Sequence, residues 1–101
     1  MAFDMSAGDR QDCIDHPEEY ILQLAAEKPA QYPELCDLWV AFYNGPSLSP
    51  EQAGALVHEL LDLLLAHGGA SNRPMADEVM RLMAFFSHAY RRGLKIDCQS
   101  D

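Results

Sequence analysis

The residues best equipped for chemistry in this chain stand one helical turn apart at His58 and Asp62, with Glu59 beside them and His67 further along. Two such groups on one helix can ligate a metal. A zinc site, however, takes three or four protein ligands, and no second His or Cys pair stands at matching spacing. The cluster therefore reads as a solvated helical face, and no metal is expected. Cys13, Cys36 and Cys98 are an odd set without CxxC spacing, which speaks against a disulfide framework or a zinc knuckle. Cys36 follows Leu35 on a helical pattern and reads as a partly buried, inert thiol. Gly45, Gly68 and Gly69 close helical patterns instead of opening them, so none builds a phosphate-binding loop. No catalytic residue and no cofactor are expected, and the chain does not read as an enzyme.

The elements that would position these residues are punctuated clearly. Four helical patterns run from about Pro17 to Glu27, Pro33 to Tyr43, Pro50 to Gly68 and Pro74 to Arg92. In the second, Leu35, Leu38, Trp39 and Phe42 are spaced i, i+3, i+4, i+7 on one face, with Trp39 expected in the core. The third opens on Ser49-Pro50-Glu51-Gln52, a capping box with proline at the first helical position. Leu60 to Leu65, broken only by Asp62, then make that helix apolar over most of its circumference, so it needs burial on more than one side. It is expected to be the central helix, the alternative being that its outer flank meets another chain. In the fourth, Val79, Leu82, Met83, Phe86 and Tyr90 form the main stripe, while Met75, Met80 and Phe85 spill onto a flank.

Residues 1–14 show little periodicity and read as a flexible acidic arm, 15–97 as a single helical domain, and 98–101 as a tail. The alternation in LKIDCQSD is too short for a strand without a partner. The expected fold is all-α: a compact bundle of four main helices with a loose N-terminal arm and a short C-terminal tail.

Sixteen acids against seven bases give a net charge of −9, and twelve of those acids precede Arg73, accompanied only by Arg10 and Lys28. Such a body repels phosphate backbones and attracts basic surfaces, so the expected partner is a basic protein and not nucleic acid. The one dense basic group, Arg91, Arg92 and Lys95, lies at a helix end, where it complements the helix dipole. No apolar run approaches the roughly 20 residues needed to span a bilayer, and the N-terminus lacks a basic segment followed by an apolar one. Free thiols suit a reducing compartment, so the expected location is cytoplasmic, without a membrane partner.

The acids of the N-terminal half, interleaved with tyrosines, supply the candidate contact surface: Asp15, Glu18, Glu19, Tyr20, Glu27, Tyr32, Glu34, Asp37 and Tyr43. Carboxylates steer a basic partner and accept arginine bidentately, and tyrosines add stiff contact area with a polar tip.

The stretches YPELCDLWVAF, LSPEQAGALVHELLDLLL and AYRRGLKID, within residues 32–97, resemble the small, acidic, all-helical immunity proteins that bacteria encode beside secreted toxins, including type VI secretion effectors. The resemblance implies an inhibitor that binds a cognate toxin and plugs its active site or blocks its access to substrate. It carries over no contact residues. Two alternatives share the same charge: a homodimeric adaptor or regulatory subunit, in which the flanks of the third and fourth helices meet a symmetry mate, and an acidic mimic of nucleic acid inhibiting a nuclease or anti-phage complex.

Overall fold

A four-stranded antiparallel sheet accompanies the helices in the computed structural model, which describes residues 2–100. The fold is therefore α+β, and the all-α helical bundle expected from the sequence is corrected. In chain order the elements are β1 (Ala2–Ala7), β2 (Arg10–Asp15), a 3-10 turn at His16–Glu18, α1 (Tyr20–Ala26), α2 (Pro33–Val40), β3 (Ser47–Leu48), α3 (Pro50–Ala66), a 3-10 turn at Gly69–Ser71, α4 (Arg73–Arg92) and β4 (Ile96–Ser100). The strands lie in the order β2-β1-β4-β3.

What was expected to be a loose arm is the hairpin β1–β2, and what was expected to be a tail belongs to β4. Met1 and Asp101, the outermost residues of those two segments, lie outside the described residues. Gly8-Asp9 is a two-residue hairpin turn between the paired Ala7 and Arg10, and Gly8 takes φ +62°, the positive value that a type II′ turn needs at this position. Phe3, Met5 and Ala7 alternate along β1, and all three side chains are buried. They share their face with Ile14 of β2, Cys98 and Ile96 of β4, and Leu48 of β3. This apolar face packs on the helices in one continuous core with Ile21, Leu35, Leu56, Val79, Leu82 and Phe86. The reason the C-terminal alternation forms a strand is that β1 supplies its partner: Met5 faces Cys98 and Phe3 faces Ser100.

The helices begin as their sequences dictate. At the start of α3 the Ser49 Oγ accepts from the Gln52 amide at 3.1 Å, while Gln52 Oε1 accepts from the Ser49 amide at 2.8 Å, the two halves of a capping box. α2 has no such local cap, because the Tyr32 that precedes it makes no side-chain hydrogen bond to the first turn. Its first turn is capped from elsewhere: Glu59 of α3 accepts from the Glu34 amide at 3.1 Å and from the Leu35 amide at 2.9 Å, one carboxylate oxygen each. Glu59 thus belongs to an inter-helix joint and not to a solvated face. Its charge meets the positive end of the α2 dipole and satisfies two amides that no residue within the helix could reach.

α3 and α4 form an antiparallel pair joined by a short connector. Within the leucine run, Leu60, Leu63 and Leu64 are buried, whereas Leu61 and Leu65 are exposed. Met75 and Phe85, expected on a flank of α4, are buried, while Met80 and Tyr90 face solvent. Trp39 is only partly buried and packs against Phe42 with ring centroids 5.4 Å apart. No helix among the described residues is long and apolar enough to cross a membrane.

The Glu59 cap generates a test. Replacing it with alanine leaves two amides of α2 without partners and is expected to lower stability by about 1–2 kcal/mol, read as an earlier urea midpoint with reduced helicity. An unchanged midpoint would show that water caps α2 equally well.

Candidate partner-binding surface

One face of the sheet is covered by helices and the other is not. Alternation places Asp4 and Ser6 of β1, Gln11, Cys13 and Asp15 of β2, Ser47 of β3, and Asp97 and Gln99 of β4 on the uncovered side. None is a large apolar residue, as an antiparallel sheet with one wet face requires. Asp4, Asp15 and Asp97 are exposed, and an open depression of about 760 Å³ runs over the face, bounded by Asp4, Ser6, Gln11, Cys13, Asp97 and Gln99. Asp97 is paired with Lys95 at 3.5 Å, and its carboxylate also accepts from the Ser47 hydroxyl at 3.3 Å.

The outer edge of β2, one of the two edges of this sheet, is closed by a single cation. Arg81 of α4 reaches β2, where its Nη1 donates to the Asp12 carboxylate and, at 3.1 Å, to the Cys13 carbonyl, while its Nη2 donates to Glu18 at 2.6 Å. The Cys13 amide donates at 2.7 Å to the side chain of Asp12. Both backbone groups of the central edge residue are therefore satisfied from within the chain, and a foreign strand cannot pair there without displacing Arg81. Burial works against the charged guanidinium, but the Glu18 hydrogen bond and the Asp12 and Glu18 carboxylates outweigh it and hold Arg81 above its ordinary value. What is left for a partner on this side of the sheet is the face, not the β2 edge.

The nine contact residues expected from the sequence separate into two groups. Glu18 is held by Arg81, and its other oxygen accepts from the Asp15 amide at 3.0 Å. Glu19 is buried, with its carboxylate 3.3 Å from the His16 ring, and Tyr32 is buried in the core. Tyr20 is half-buried; burial first and the neighbouring Glu78 carboxylate second push its phenol up to about 12. Glu34 is half-buried in the first turn of α2, and its carboxyl is raised by burial, then by Glu59 and Asp37. Asp15, Glu27, Asp37 and Tyr43 are exposed on different elements. Only Asp15 lies on the open sheet face. Asp4, Gln11, Asp97 and Gln99 were missed there, although the Phe3-Met5-Ala7 alternation ahead of Gly8-Asp9 carried the signal that could have placed Asp4 and Gln11.

Two of the three thiols, Cys98 and Cys13, are disfavoured as thiolates. Cys98 is pushed up to about 12, by burial and then by Asp97, and Cys13 is raised by burial and by Asp15, whose carboxylate lies 3.5 Å from the sulfur. Thiols in such surroundings are poor nucleophiles. Among the described residues no three His, Cys, Asp or Glu side chains gather in a way that could hold a metal ion, and the His58–Asp62 pair stays short of a ligand set. Comparison with known proteins returned no match, whether to family models, to curated proteins or to solved structures.

Removing the Arg81 clamp should be costly. Arg81→Met leaves Asp12 and Glu18 facing each other without a cation, and a loss of about 1–3 kcal/mol in urea unfolding is expected, the lower part of the range reflecting partial solvent access. Arg81→Lys should recover less than half of that loss, since an ammonium cannot span three acceptors in a fork. Equal stability of wild type and Arg81→Met would exclude a clamping role.

Proposed function

We propose that this protein is a non-catalytic binding protein of the immunity type, which holds a basic toxin domain against the open acidic face of its sheet. The single observation supporting this reading is the conjunction on one uncovered face of Asp4, Asp15 and Asp97 with short polar neighbours, beside an edge already closed by Arg81. A chain carrying a net charge of −9 draws a basic partner in from a distance. At contact, exposed carboxylates accept arginine forks, and Gln11 and Gln99 add donors and acceptors that fix the register. Carboxylates in this role occupy the places that phosphates would take in a toxin that handles nucleotides or nucleic acid. Such an inhibitor would act in the cytoplasm, where its three free cysteines remain reduced.

The contact surface is moved relative to the sequence expectation. Glu18, Glu19 and Tyr32 serve the fold, so the role assigned to the N-terminal acids passes to Asp4, Asp15 and Asp97.

The test is capture from the native host by immobilised wild type and by the double variant Asp4→Lys, Asp97→Lys, followed by mass spectrometry. The wild type is expected to retain a basic toxin-domain protein with an association rate that falls as salt rises, and the variant to associate about tenfold more slowly with unchanged helicity. Equal capture by both proteins, or capture indifferent to salt, would contradict the reading.

A further inference from the structure

A second surface stands apart from the acidic face. Successive residues of an α-helix are turned by about 100°, which sets Met80, Met83, Ser87 and Tyr90 on the flank of α4 opposite Arg81 and its clamp. On α3, Gly54, Val57, Leu61 and Leu65 form the facing flank. Between the two helices lies a mainly apolar groove of about 530 Å³, bounded by Glu51, Gly54, Val57, His58, Tyr90 and Arg91. Its Tyr90 is 55% exposed, and further along the same two flanks Leu61 is 41% exposed, Leu65 64% and Met80 65%, while Val57 and Met83 pack partly against the core.

Gly54 shows what the groove costs the fold. A glycine inside a helix is less favourable than alanine by about 1 kcal/mol. Here a Cβ would stand 2.7 Å from Cδ1 of Tyr90, so the glycine leaves room for that half-exposed ring against α3. A seat kept for a half-exposed aromatic is a poor bargain in a monomer.

The charges beside the groove identify the occupant. The outward stripe of α4 reads Asp77, Met80, Ala84, Ser87 and Arg91, with the acid seven residues before Ala84 and the base seven residues after it, all but Ser87 exposed. A twofold axis passing beside Ala84 would set Asp77 opposite Arg91 of a second copy and Arg91 opposite that copy's Asp77. Alanine at the crossing lets the two helices approach closely, and isologous interfaces demand this kind of self-complementarity. The α3–α4 face is roughly 30 Å long and 20 Å wide by helix geometry, comparable with the ~800 Å² per partner of a standard interface.

We infer that the chain forms a twofold homodimer through α3 and α4, with the axis at Ala84 and reciprocal Asp77–Arg91 pairs. The depression on the acidic sheet face and the groove between α3 and α4 share no lining residue, so the dimer contact does not use Asp4 or Asp97.

Sedimentation of the full chain tests the inference. Wild type is expected at twice its 11.3 kDa mass at concentrations of about 100 µM, and Ala84→Arg, on an exposed site with a good helix former, at the monomer mass with unchanged circular dichroism. Asp77→Arg and Arg91→Asp should each weaken the dimer by about tenfold or more, and the double exchange should restore it to within about threefold of wild type. A wild-type chain that stays monomeric at that concentration, an Ala84→Arg chain that still dimerises, or a double exchange no better than the singles would overturn it. Monomers whose groove instead accepts a foreign amphipathic helix count among the overturning results.

Discussion

Arg81 is the contact on which the arrangement of layers depends. β2 carries Asp12 on the same side as Ile14, toward the helices, where an unpaired carboxylate would cost several kcal/mol. The guanidinium from α4 answers that charge, takes the Cys13 carbonyl of the sheet edge, and fixes Glu18 in the turn leading into α1. One side chain thereby ties the outermost strand, the path into the first helix and the longest helix into one unit. With the β2 edge sealed and the inner face buried, the outer face is the broad polar surface that the sheet presents.

Much of the helical half was legible. The Ser49–Gln52 capping box, proline in the first turn of α2, α3 and α4, and the arginines in the last turn of α4 are local signals, and the helices form where they stand. The sheet was not legible, for two physical reasons. Its central pairing joins Phe3 to Ser100 and Met5 to Cys98, contacts between opposite ends of the chain that no local window contains. β2 also puts a carboxylate, Asp12, at an inward position of its regular alternation, a choice that makes sense only once Arg81, sixty-nine residues away, is known to meet it. Glu59 was misread for the same reason, since its role as the cap of α2 depends on a helix that approaches in space and not in sequence.

The contact surface shows the same division. Acidity was read correctly as a property of the chain, but composition does not say which carboxylates are consumed by the fold. Glu18 is taken by Arg81, Glu19 is buried near His16, and Tyr32 fills the core, whereas Asp4 and Asp97 project from a sheet whose existence had not been inferred. The leucine run of α3 divided in a way helical phase explains: Leu60, Leu63 and Leu64 point inward, while Leu61 and Leu65 fall on the α4 flank and remain outside. The molecule presents two unlike surfaces, one carboxylate-lined on the sheet and one apolar between α3 and α4, and they lie on different flanks of α4. The proposed charge attraction at the first and the proposed apolar burial at the second would be separable in salt, because screening weakens only the former strongly.

The most direct measurement of the central claim, that the first and last strands are a fixed layer pinned to the helices, is amide hydrogen exchange of β1 and β4. The account predicts that the amides of β1 and β4 that pair within the sheet exchange with protection comparable to that of the buried segments of α3 and α4, because all belong to one core. Exchange of β1 and β4 at the rate of an unstructured chain, while α3 and α4 stay protected, would contradict it.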